Sequence, residues 1–155
     1  MKVIYNDGHV AECPEEEELH VIRHTAAHIL AQAVKRLYPQ AHFAYGPATE
    51  KGFYYDVDLG DKKLSDEDLP AIEAEMAKIV KENLPIKPFV LSREEAVKLM
   101  EERGEVYKVE HIGDLPEDAV LSFYQQGEYV DMCVGPHLCY TKGLKAFKLT
   151  QLSGA

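Results

Sequence analysis

Between Pro14 and Pro39 the apolar residues have one regular way to share a face, and that constrains what the rest of the chain can pack against. Leu19, Ile22, Ala26, Ile29, Ala33 and Leu37 recur every three or four positions, the period of an amphipathic helix. Pro14 and the acidic run Glu15–Glu18 suit the positive end of its dipole, and the helix should stop near Tyr38, before Pro39. At about 100° per residue, His24 and His28 lie one turn apart and roughly opposite the stripe, so they are expected outside the main core. Small neighbours on their side, Ala27 and Ala31, leave room for another element to approach. A second pair, Cys133 and His137, has the same spacing but a different geometry. Gly135 and Pro136 break any helix there, so a turn following a strand must bring the thiol and the imidazole together. Joining the two pairs would make one pocket of three imidazoles and a thiol.

The remaining pattern alternates strands and helices. Lys2–Glu12 reads as a hairpin turning at Asn6-Asp7-Gly8. Residues 42–47 and 52–59 read as two antiparallel strands, with Phe53 and Tyr55 on one face and Tyr54 and Asp56 on the other. A helix follows, capped by Ser65 with Asp68 near the capping-box position; its stripe is Leu69, Ile72, Met76, Ile79 and Val80, and it ends near Asn83-Leu84-Pro85. A proline-bearing edge strand starts at Pro85, and a second capping box, Ser92 to Glu95, opens a short helix that Gly104 ends. Strands are predicted over 105–112, 119–125, 128–134 and 145–152, the second and third joined at Gln126-Gly127. This order predicts an α+β fold, an antiparallel sheet packed with a long N-terminal helix and further helices. Residues 1–19 are expected to be a short hairpin extension and 20–155 the main domain.

Composition narrows the chemistry. With 46% apolar and 28% charged residues the chain reads as an ordinary cytosolic protein, without a membrane-crossing run or a signal-peptide pattern. A net charge of −10 argues against nonspecific nucleic-acid binding through bulk charge, so an RNA partner needs a local patch or another domain. Three cysteines form no even disulfide framework; Cys13 and Cys139 read as incidental. Taken alone, each histidine pair has a bland reading, surface imidazoles in one case and a buried thiol beside a turn in the other. Together His24, His28, Cys133 and His137 make either a tetrahedral zinc set or a metal-free acid/base cluster. Lys108 reads as a surface lysine on an alternating strand, Asp131 as a carboxylate on the same strand face as Cys133, and Tyr55 as a core residue with a polar handle.

Four stretches together carry a resemblance: Arg23-His-Thr-Ala-Ala-His-Ile-Leu-Ala-Gln-Ala-Val, Gly52-Phe-Tyr-Tyr-Asp-Val-Asp, Tyr107-Lys-Val-Glu, and Tyr129-Val-Asp-Met-Cys-Val-Gly-Pro-His. They resemble the editing domain of threonyl-tRNA synthetase, over roughly residues 20–155. The alanyl-tRNA synthetase editing domain shares both histidine-bearing pairs, whereas the Gly-Phe-Tyr-Tyr-Asp segment and the closing Phe147–Ala155 favour the threonyl branch. The chain departs from the family at Val134, where an arginine is frequent, and in having only a short hairpin where a ubiquitin-like domain usually precedes. The resemblance implies hydrolysis of the ester in Ser-tRNA(Thr), a mischarging error of a threonine--tRNA ligase. In that reading His24, His28, Lys108, Cys133 and His137 carry the chemistry, one imidazole helped by Lys108 activating water. Tyr55 and Asp131 hold the seryl group or the terminal adenosine. No cofactor is expected to be required; zinc on the four-residue set, as in the alanyl relatives, is the alternative. Implied partners are the 3′ end of tRNA(Thr) carrying serine and the aminoacylation and anticodon-binding domains of a parent synthetase, in the cytoplasm. A free-standing trans-editing protein, or a non-catalytic zinc-stabilised module that docks RNA or a partner, are the other readings.

Overall fold

The computed structural model describes residues 1–44 and 46–152. The N-terminal hairpin comprises β1 (Lys2–Ile4) and β2 (Val10–Glu12), and Gly8 at its turn takes φ +89°, a conformation that suits glycine. One turn of 3-10 helix over Glu15–Glu17 leads into α1 (Glu18–Leu37), which ends one residue before Pro39's predecessor Tyr38 leaves helical geometry. β3 (His42–Phe43) and β4 (Val57–Asp58) form a two-stranded antiparallel ladder. α2 (Leu69–Glu82) carries the expected capping box between Ser65 and Asp68, and Asn83 closes it in the left-handed conformation. β5 (Ile86–Ser92) is the edge of an antiparallel sheet ordered β5-β6-β7, with β6 (Val120–Gln126) and β7 (Tyr129–Met132). α3 (Arg93–Glu102) has the Ser92–Glu95 box, and Gly104 follows at φ +69°. β8 (His137–Leu138) pairs with β1, placing His137 opposite Ile4.

Among the described residues the predicted single sheet is instead three small antiparallel sheets arranged about α1. One flank of α1, Ala26, Ile29 and Ala33, packs on Ile72, Met76 and Ile79 of α2. A second flank, with Val21, faces Val3, Ile86, Tyr124 and Leu138. The other side of the β5-β6-β7 sheet covers Ala96 and Met100 of α3 with Phe123 and Val130. Fully burying each of the larger side chains among these, the valines, isoleucines and methionines, contributes about 1.5–3 kcal/mol, so α1 is held from several directions at once. That explains a departure from the predicted stripe: Leu19 and Leu37 at its ends are exposed, while Thr25, His28 and Gln32 are buried. His28, expected outside the core, is only 2% exposed.

Two further predictions fail. Residues 105–112 are not a strand but the N-cap Glu105 and α4 (Val106–Gly113); Glu105, Lys108 and Ile112 are the buried positions. Spacings of three and four are helical; the valines at 106 and 109 supplied a misleading strand propensity. Residues 145–152 form no strand either. They lie outside any helix or strand, and Phe147 and Leu149 pack against the α1–α2 core, with the Leu149 amide donating to Glu73 at 2.6 Å. The strands expected over 42–47 and 52–59 pair only at β3 and β4, extended by a bridge from Ala48 to Phe53; Tyr45 lies outside the described residues. Among the described residues, no helix is long and apolar enough to cross a membrane.

Candidate active site

α1 sets His24 and His28 one turn apart, with ring centroids separated by 5.1 Å. β7 and β8 deliver Cys133 and His137 from the opposite side. The turn between them is anchored by the N-terminal hairpin, because Asn6 Oδ1 accepts the Gly135 N–H and the Tyr124 hydroxyl, each at 2.8 Å. A Cβ on Gly135 would stand 1.9 Å from Tyr124 Oη, so a side chain at this position has no room. His137 then lies 4.1 Å from His24 and 4.3 Å from His28 between centroids, with its Nε2 3.3 Å from Cys133 Sγ. One ligand-type atom from each of the four residues lies within 4.8 Å of the others.

Beside this cluster is an ionic one. Asp131, 2% exposed, accepts from Tyr55 Oη at 2.5 Å, Tyr129 Oη at 3.0 Å and the Met132 amide at 2.8 Å, and its carboxylate forms an ion pair with Lys108 Nζ at 3.0 Å. His28 Nε2 lies 3.5 Å from the same carboxylate. Lys108 donates to Ala44 O and Tyr55 Oη, each at 3.0 Å. Two hydrogen bonds and a carboxylate at ion-pair distance together compensate the ammonium, which is how a lysine tolerates 8% exposure. The surface position expected for Lys108 is therefore corrected, since on α4 it points inward rather than out from a strand.

Burial dominates the protonation of the site. It lowers His28 and His137 well below 6.5, with the neighbouring imidazoles and, at His28, Lys108 adding, and lowers His24 less because that ring is less deeply buried, Asp131 opposing the shift. All three rings are neutral at pH 7. Burial and the Asp131 charge push the Cys133 thiol well up, so it is not a thiolate. The buried rings have a consequence for folding. In the unfolded chain each imidazole takes up a proton as pH falls through 6.5, whereas the folded rings resist, so the unfolded state binds more protons. Stability present above pH 6.5 is lost below it, at up to about 2.7 kcal/mol per pH unit for two such rings. Urea unfolding compared above and below pH 6.5 should show that loss; equal midpoints would mean the rings are solvated.

His24, His28, Tyr55, Lys108, Asp131 and Cys133 all border one cavity of about 540 Å³. His137 does not border it: it is fully buried behind the other two imidazoles. Gly46 and Pro47 also line the cavity, as do Tyr107, Glu110, His111 and Asp114 of the α4 region. A Cβ on Gly46 would meet the Tyr55 ring at 2.2 Å, so the loop approaches the tyrosine as closely as glycine allows. Sequence reasoning missed Thr25, Tyr129 and Asn6. Tyr129 shares a strand face with Asp131 at a spacing of two, a readable signal; Asn6 is joined to the site only by folding. The donor set of three imidazoles and a sulfur suits zinc. A tetrahedron with 2.0–2.3 Å bonds has edges of about 3.3–3.8 Å, so the four residues need only draw together by about an ångström.

Residues 121–155 match the family described as Threonyl and Alanyl tRNA synthetase second additional domain. Over 141 residues the chain is 57% identical to a threonine--tRNA ligase of Carboxydothermus hydrogenoformans and 59% identical to one of Clostridioides difficile. Each alignment covers 91% of this chain and 22% of the relative. A threonine--tRNA ligase of Clostridium novyi is 52% identical over 157 aligned positions, covering 100% of this chain and 24% of the relative. The chain therefore spans less than a quarter of the length of these relatives.

Proposed function

Since the chain carries a threonyl-tRNA synthetase editing-domain region, we propose that its cavity hydrolyses the ester of serine mischarged onto tRNA(Thr). The observation that supports this most is the meeting of a neutral, accessible imidazole with a buried Lys108–Asp131–Tyr55 network at one cavity. A synthesis site built for threonine rejects serine weakly, because one missing methyl group is worth only about 1–3 kcal/mol. A second site that the extra methyl cannot enter corrects the error, as in a double sieve.

In this reading His24 is the general base. It borders the cavity and is less buried than His28, and it interacts with the Pro136 backbone, which can only accept, leaving the other ring nitrogen with a lone pair. A water oxygen bonds to the ester carbonyl carbon as His24 takes its proton. The ester C–O bond then breaks, and the terminal ribose oxygen leaves with the proton that His24 gives back, which restores the neutral imidazole. Lys108 supplies a fixed positive charge for the developing oxyanion without being free to wander, since Asp131, Tyr55 and Ala44 hold it. Tyr55 and Asp131 present the polar surface that orients the seryl group or terminal adenosine. His28 and His137 back the base, and Cys133 shapes the floor. The partners proposed are tRNA(Thr) and the remaining domains of a synthetase, in the cytoplasm.

The test is deacylation of Ser-tRNA(Thr) against Thr-tRNA(Thr). Serine should be released on the order of 10–200-fold faster; equal rates would overturn the selectivity. A zinc ion would be held by His24, His28, Cys133 and His137, where it would act as a Lewis acid on the carbonyl or the water. The reading above requires none. Exhaustive chelation is expected to leave both deacylation and the thermal transition unchanged. Loss of activity alone would make the metal catalytic, and loss of the fold would favour a structural zinc module.

A further inference from the structure

Thr25 lies between the two histidines of α1, is 0% exposed, and faces β8. Its Oγ1 meets two groups, the Leu138 backbone N–H at 3.1 Å and His137 Nδ1 at 2.9 Å. The amide can only donate, so it occupies a lone pair of the hydroxyl. The hydroxyl has one proton of its own, and a buried donor needs an acceptor. Among the described residues no other acceptor contacts Oγ1, which leaves His137 Nδ1 to receive it. A neutral imidazole that accepts at Nδ1 carries its proton on Nε2. That nitrogen lies 3.3 Å from Cys133 Sγ.

We propose that Thr25 is a positioning residue that locks His137 in the Nε2–H tautomer, so that His137 donates to the Cys133 sulfur and cannot take its proton. A cysteine nucleophile needs a neighbouring base with a lone pair aimed at the thiol. Here the lone pair points the other way, at Thr25. The pair that looks in sequence like a thiol with its base is thereby held as a donor with an acceptor. Water, activated by His24, is left as the attacking group. The reaction this serves rests on the hydrolase reading; the tautomer itself does not.

The experiment uses the whole chain labelled with 15N at histidine, freed of metal by chelation, in two measurements made without tRNA. Side-chain nitrogen–proton correlation spectra should show His137 protonated at Nε2 and bare at Nδ1. Alkylation of Cys133 by iodoacetamide, followed by peptide mass mapping, should be slow in the wild type. Thr25→Val keeps the shape and removes the donor, so the Nε2–H form loses its lock, an Nδ1–H population should become detectable, and alkylation should quicken as that population becomes able to accept from the thiol. Thr25→Ser should restore both. A wild-type spectrum with the proton on Nδ1 overturns the proposal, and so does a folded Thr25→Val whose Cys133 reacts at the wild-type rate. If Thr25→Val does not fold, the wild-type spectrum decides. A wild type with the Nε2–H tautomer that fails to deacylate Ser-tRNA(Thr) sinks the hydrolase reading and leaves the tautomer standing.

Discussion

His24→Ala should lower kcat/KM for Ser-tRNA(Thr) deacylation by about 10²–10⁴-fold, the range for loss of a positioned general base, while leaving the thermal transition close to wild type. The separation of those two effects is the point. His24 borders the cavity and is only partly buried, so its removal opens space already connected to the pocket. His137, at 0% exposure, is packed among Tyr124, His24 and His28, and His137→Ala should lose stability and activity together. His28 is the rival base, but its Nε2 faces the Asp131 carboxylate at 3.5 Å and the ring is 2% exposed. Because burial lowers His24 below 6.5, the wild-type rate should persist below pH 6.5 and fall only as acid reaches the lowered value. A His24→Ala enzyme deacylating at the wild-type rate, with His28→Ala inactive but folded, would move the base one turn along α1.

How much of this was legible before folding differs by element. α1 and α2 announced themselves through period, proline boundaries and the Ser65–Asp68 box, because those signals act within a few residues. The two histidine-bearing pairs were also readable, since a helical spacing and a Gly-Pro turn each restrict where side chains project. The Lys108 environment was not. Its burial depends on Ala44, Tyr55 and Asp131, which come from three other parts of the chain, and the β-branched neighbours of Lys108 imitate a strand. Counting burial by spacing would have helped, since 105, 108 and 112 make a helical face in which two members are charged. A charged helical face turned inward is an unusual pattern, and such a face is a pointer to a site. Thr25 escaped notice for a related reason: its role is defined by a ring 112 positions away. Local rules find elements, while the polar groups inside the fold are specified by long-range hydrogen-bond completion.

The largest loss of stability is expected at Asp131. Asp131→Asn preserves the outline of the side chain but removes the charge opposite a Lys108 ammonium that is 8% exposed. It also puts an amide NH₂ among donors, where Tyr55 and Tyr129 both require an acceptor. Leaving one member of a buried ion pair uncompensated costs about 3–5 kcal/mol, well above the roughly 0–1 kcal/mol of a surface pair such as Arg36 with Glu82. Urea denaturation should show that loss, with deacylation falling alongside because Tyr55 and Lys108 lose their common anchor. Adding Lys108→Met to Asp131→Asn removes the stranded charge, so the double variant should regain most of the lost stability while remaining inactive. That combination separates a network kept for folding from one kept for chemistry. A single variant losing under about 1 kcal/mol would place the pair in a solvated setting, at odds with the observed burial. A double variant that deacylates normally would remove Lys108 and Asp131 from the reaction, leaving the imidazoles to act without a fixed charge beside them.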